Sequence, residues 1–237
     1  MGDKQTTRNI FSSDGRLLHA ELAFKNVGEA GTIAGLVCTD GIVIIGINHT
    51  KSLTIEKIYK INDETYACVA GIFSDALRLI KYARLKSANI YELTGSVPKI
   101  SVLCENIAKE KQFYTQLEDA RPFGVAFLFS GYEDGGYVLY STDPSGTVNR
   151  WKACSFGLDC DKINGELRNF LYDAEKTSTE QGLIDLMNAI GKAREWASDV
   201  AERMEVLLYS KNDSRMMKTE EIKDLLKRLE GEKAAKS

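Results

Sequence analysis

The chain predicts an α+β fold, a sandwich of two antiparallel sheets face to face with helices outside. Three observations predict it. Apolar, β-branched runs come in pairs split by turn residues: Thr32–Cys38 and Ile42–Ile47 about Thr39-Asp40-Gly41, then Lys57–Ile61 and Thr65–Ala70 about Asn62-Asp63-Glu64. Helical periodicity then returns in paired segments, after this first group of strands and again after a second. Strands and helices therefore occur in blocks and do not alternate singly. Blocks suit a layered sandwich and argue against a doubly wound parallel sheet.

The elements follow in order. Ser13-Asp14-Gly15 predicts a turn that feeds a short helix from Arg16 to about Val27, with Leu18 and Leu22 on one face. The two hairpins come next. Ser74 is the expected N-cap of a helix whose inward positions are Ala76, Leu79, Ile80 and Ala83. A second helix runs from about Pro98 to Tyr114, with proline in its first turn and Leu103 and Ile107 inward. Gly124–Gly131 and Tyr137–Ser141 are strands about a turn at Glu133–Gly136, and Asp143-Pro144-Ser145-Gly146 is a turn. Arg150–Phe156 reads as one further strand. A helix carries Ile163, Leu167, Phe170 and Leu171. Another opens on the capping pair Ser178 and Gln181 and continues through Leu183, Met187 and Ile190. Arg203–Ser210 is a strand. The last helix follows Thr219, with Glu220 and Glu221 at its positive end and a stripe of Ile222, Leu225, Leu226 and Leu229. Past Gly231 the tail is charged and is expected to fray.

Composition bounds the function. The chain has 237 residues, 43% hydrophobic and 27% charged, with a net charge of −3. That is a globular composition with no global basic field, so no nucleic-acid partner is expected. Apolar runs are strand-length, far below the roughly 18 residues that span a bilayer, and Met1–Arg8 is too polar for a signal peptide, so no membrane partner is expected. Three prolines and no linker predict one domain over residues 1–237: a tail and short helix at 1–27, a core at 28–231 and a charged tail at 232–237. The cysteines Cys38, Cys68, Cys104, Cys154 and Cys160 form no CxxC pair, which predicts reduced, structural thiols in the cytoplasm or nucleus. His19 and His49 are the only histidines, so no metal and no cofactor are expected. Gly28, Gly31 and Gly35 run from helix into strand, the wrong order for a phosphate cradle.

Written on these elements are words that together resemble the 20S proteasome α-type subunit. They are Ile10-Phe11-Ser12-Ser13-Asp14-Gly15-Arg16-Leu17, Ala30-Gly31-Thr32 with Asp40-Gly41, Glu56–Ile61, Ala70-Gly71, Tyr114-Thr115-Gln116, Arg121-Pro122-Phe123-Gly124, Thr142–Gly146 and Trp151-Lys152-Ala153. The spelling Glu29–Thr32 with Glu56–Ile61 is similar to the α3 type, also called alpha type-4. The resemblance implies a four-layer αββα sandwich of the N-terminal nucleophile hydrolase type, with an extra N-terminal helix. It also implies a non-catalytic subunit of a seven-membered outer ring, stacked on β-rings that hold the protease sites. Its N-terminus would contribute to a gate, and pockets between neighbours would receive activator C-terminal tails. In such a pocket Lys57 would pair with a terminal carboxylate, and Gly71 would let the tail approach.

The alternative is an active β-type threonine protease with Thr32 as nucleophile. That chemistry needs a free threonine amine as its own base and an aspartate and lysine to tune it. Lys57 sits where the lysine belongs, but Ile47 stands in place of the aspartate, and the nucleophile position aligns better with Gly31 than with Thr32. A ring of identical copies is a further alternative. The sequence departs from the family at Lys4-Gln5, Ser13 and Leu22, where a Tyr-Asp pair, a proline and a tyrosine are usual, and its Thr50–Glu56 loop is shorter.

Overall fold

The computed structural model describes residues 11–51, 55–117, 120–170 and 177–236. The chain begins with α1 (Leu18–Gly28), followed by β1 (Ile33–Val37), β2 (Ile42–Ile47), β3 (Ile58–Lys60) and β4 (Thr65–Gly71). The long helices α2 (Phe73–Thr94) and α3 (Ile100–Gln116) come next, then β5 (Val125–Glu133), β6 (Gly136–Thr142), β7 (Val148–Trp151) and β8 (Ala153–Phe156). The C-terminal part contributes α4 (Cys160–Phe170), α5 (Thr179–Ala193), α6 (Val200–Arg203), β9 (Met204–Tyr209), β10 (Arg215–Met216) and α7 (Thr219–Lys236).

One sheet runs β10-β9-β2-β1-β8 and the other β3-β4-β5-β6-β7, and every pairing is antiparallel. Strand β2 shows why the layers stack. All six of its residues are buried, and their side chains alternate between two cores. Ile42 and Ile44 meet Ala126, Leu128 and Leu139 of the opposite sheet. Val43, Ile45 and Ile47 pack with Ile163, Leu186, Met187 and Ile222 of the helices behind. On the far side, Leu79, Ile80, Leu103 and Ile107 cover Phe127 and Phe129. The result is the expected four layers.

Local chemistry sets most boundaries. Gly15 adopts φ 74° and closes the turn before α1, with Ser12 Oγ accepting the Arg16 N–H at 3.0 Å. Ser178 caps α5 by accepting the Gln181 N–H, while the Gln181 side chain turns to Asp185. Asp143 Oδ1 accepts the N–H groups of Ser145 and Thr147 and fixes the next turn.

Several expectations need correction. Helix α1 starts at Leu18, and Leu18 and Leu22 point outward while Ala23 and Val27 face the core. Ser74 lies inside α2, whose N-cap is Ile72 with no side-chain cap. Pro98 precedes the N-cap of α3, Lys99, and is not in the first turn. Arg150–Phe156 is two strands, because the backbone passes from one sheet to the other at Lys152. Helix α7 continues past Gly231 to Lys236. The expected role of Leu171 and the gate residues Met1–Arg8 lie outside the described residues.

Two buried polar groups brace the layers. Asp75, on the first turn of α2, receives Arg121 Nη1 at 2.6 Å and Nη2 at 2.7 Å and accepts the Gly124 N–H at 3.0 Å. Lys111 on α3 is fully buried, and its ammonium donates to Val125 O, Thr142 O and Thr142 Oγ1 at 2.8–3.0 Å.

Candidate functional site

Lys57 and Gly71, at the two ends of the β3–β4 hairpin, line one cleft of about 220 Å³ together with Gly31, Asn48 and His49. The cleft opens where β1 and β3 begin and β2 and β4 end, and where the β2–β3 connection crosses from one sheet to the other.

Lys57 is only 6% exposed, so its head does not reach into water as a simple surface lysine would. Its stem lies over Gly46, where an added Cβ would stand 2.5 Å from Lys57 Cβ. Its backbone is clamped by Glu205 of β9, whose carboxylate accepts the Lys57 N–H at 2.9 Å and the Ile58 N–H at 2.9 Å. The ammonium donates to Gly31 O at 2.9 Å and Val69 O at 3.1 Å. An ammonium has three donors, so beyond these two carbonyls one donor has no acceptor among the described residues. Burial lowers the Lys57 pKa, while Cys68 and Glu205 act to raise it. Burial likewise raises the Glu205 pKa, against the two N–H groups that favour its charged form.

Gly71 has a glycine-requiring conformation, φ 134°, and a Cβ there would collide with the Gly124 carbonyl oxygen. The missing side chain is therefore already required by the fold of this chain.

Thr32 is 1% exposed and its hydroxyl donates to Leu158 O at 2.8 Å. Its nitrogen is in peptide linkage with Gly31, and Ile47, 2% exposed, is packed in the core behind the sheet. No carboxylate is available at that position to orient Lys57 or a threonine amine, so the arrangement lacks the means to activate a nucleophile. Among the described residues no group of three or more His, Cys, Asp or Glu side chains forms a metal cluster. No described helix is long and apolar enough to cross a membrane.

Residues that the sequence alone did not single out complete the site. Arg203, Glu205 and Asn48 hold its walls, and their partners lie up to 155 residues away along the chain. Glu205 carried one signal, a lone charge inside the apolar strand Met204–Tyr209.

An αββα sandwich with a disarmed nucleophile end defines a structural member of a protease-fold class. The sequence model described as proteasome subunit matches residues 27–209, and the chain belongs to that family. It is 40% identical over 233 residues to the probable proteasome subunit alpha type-3 of Encephalitozoon cuniculi, covering 97% of this chain and 99% of that protein. It is 33% identical over 237 residues to proteasome subunit alpha type-3 of Saccharomyces cerevisiae, covering 94% and 90%. It is also 36% identical over 213 residues to proteasome subunit alpha type-4 of Spinacia oleracea, covering 86% and 83%. With alpha-type relatives across most of its length, the chain is a structural, outer-ring type of subunit, and the reading of Thr32 as a nucleophile is not favoured.

Proposed function

We propose that this chain is a non-catalytic subunit of a threonine-protease particle, in the cytoplasm and nucleus, where it helps build a seven-membered α-ring on the β-rings. In this reading it contributes its N-terminal segment to the substrate-entry gate and docks activator C-terminal tails at Lys57 and Gly71. The observation that carries the docking role is the Lys57 ammonium at the floor of a cleft, with two carbonyl partners and a donor to spare. A terminal carboxylate supplies the missing acceptor and the opposite charge. A charge-assisted bond of that kind, partly shielded from water, is stronger than a surface pair.

The test uses assembled particles carrying Lys57→Ala. Affinity for a peptide copying an activator tail should fall about tenfold, equivalent to about 1.4 kcal/mol, with the subunit still incorporated. Unchanged affinity would retire the docking role. Native mass spectrometry of the same particles separates a ring of seven different subunits from one of identical copies.

A further inference from the structure

One short stretch of chain, from α6 into β9, grips the Lys57 cleft from outside. Asn48 and His49 form one wall of the cleft. Arg203, the last residue of α6, holds that wall three times. Its own carbonyl accepts the Asn48 N–H at 2.9 Å. Its Nη1 donates to the carbonyl oxygens of Asn48 at 3.1 Å and His49 at 2.7 Å. Asp199, four residues earlier, fixes the other arm of the guanidinium through Nη2 at 2.8 Å. The Arg203 side chain is 15% exposed, so these are largely sheltered contacts. Glu202 beside it ties Lys51, in the same connection, to Lys223 of α7 at 2.6 and 3.2 Å. Glu205, two residues after Arg203, holds the floor through the Lys57 and Ile58 N–H groups.

The electrostatics of this grip bear on what the cleft accepts. Backbone carbonyl oxygens carry negative partial charge, and two of them left unpaired in the segment that walls the cleft would oppose a carboxylate bound beside it. Arg203 takes up both and brings a positive charge to the same wall. A planar guanidinium spans two acceptors while anchored by a third group, whereas a lysine ammonium on its flexible stem is a single point. Two further contacts tether the wall: Asn48 Nδ2 reaches Ile55 O at 3.1 Å, and the His49 ring reaches Glu29 O at 2.6 Å.

We propose that Arg203 is a positioning residue for carboxylate docking at Lys57, fixing the Asn48–His49 wall and occupying both carbonyl oxygens that would otherwise oppose an anion. The inference rests on the docking role of Lys57 given above. It gives this chain a built-in means of holding the cleft wall in place.

The experiment compares assembled particles carrying Arg203→Ala, Arg203→Lys or Lys57→Ala with the unsubstituted particle. The probes are a ten-residue activator-tail peptide with a free C-terminal carboxylate and the same peptide amidated. Arg203→Ala should weaken the carboxylate peptide about tenfold and leave the amide within about twofold, so discrimination between the two is lost. Arg203→Lys should lose about threefold. A merely structural role would lower thermal stability without changing the carboxylate-to-amide ratio. Full discrimination by Arg203→Ala, with Lys57→Ala impaired, overturns the positioning role and leaves the docking site standing. Full discrimination by Lys57→Ala overturns both. Should Arg203→Ala fail to enter the particle, Arg203→Lys decides, and full discrimination by that variant overturns the proposal.

Discussion

The Lys57 ammonium hydrogen-bonds the carbonyl oxygen of Gly31 at 2.9 Å, the oxygen of the very peptide bond that would have to be cut to free the Thr32 amine. In this chain the lysine therefore holds that linkage and has no carboxylate partner at Ile47 with which to serve a nucleophile. The same contact leaves the lysine head at the floor of a cleft.

Thr32 is accordingly a packing residue. Thr32→Val keeps the shape and removes the hydroxyl bond to Leu158 O, which should cost about 1 kcal/mol in urea unfolding. Peptide hydrolysis by the assembled particle should not change. Mass spectrometry after a threonine-directed covalent inhibitor should find no adduct on this chain. An adduct at Thr32 would reverse the reading.

The Asp75–Arg121 pair should respond unequally to truncation. The Asp75 side chain is 8% exposed and that of Arg121 is 58% exposed. Asp75→Ala removes two charge-assisted bonds and strands the buried Gly124 N–H, at a cost of about 2–3 kcal/mol. Arg121→Ala lets water reach the carboxylate, which keeps its Gly124 bond, and should cost about 1 kcal/mol. Equal costs in denaturant titrations would contradict this ordering.

Lys111 predicts a pH dependence. Burial pushes its pKa down to about 7, partly opposed by Asp143 and Cys104, whereas an unfolded chain titrates at the ordinary lysine value. Between about pH 7 and 10 the unfolded state then binds more protons, so stability rises with pH across that window and is lost as pH falls through the folded pKa. Lys111→Met should lower stability at every pH, because Val125 O and the Thr142 oxygens lose their donor. It should also flatten the slope, which for one proton is up to about 1.4 kcal/mol per pH unit. Unfolding titrations at pH 7, 8 and 9 measure both effects, and parallel slopes would refute the shift.

Much of the fold was legible because its signals are local. Asp40-Gly41 between β-branched runs marks the first hairpin, and the stripe Ala76, Leu79, Ile80, Ala83 marks the buried face of α2. The split of Arg150–Phe156 was not legible, since Trp151-Lys152-Ala153 holds no turn residue and the change of sheet is decided by tertiary pairing. Helix α6 spans four residues, too few to show a period. Leu18 and Leu22 share one face of α1 but that face is exposed, and the buried positions are the smaller Ala23 and Val27, which the i, i+4 spacing of the leucines did not single out. At the site, Lys57 and Gly71 came from resemblance to a family, while Arg203 and Glu205 act on chain about 150 residues upstream, beyond any local pattern.

The passage of the backbone from β7 to β8 leaves a single residue, Lys152, between strands that belong to opposite sheets. Such a seam leaves these two edge strands little slack, so a displacement of one is passed directly to the other. Amide exchange in β7 and β8 should accordingly be governed by one shared opening event.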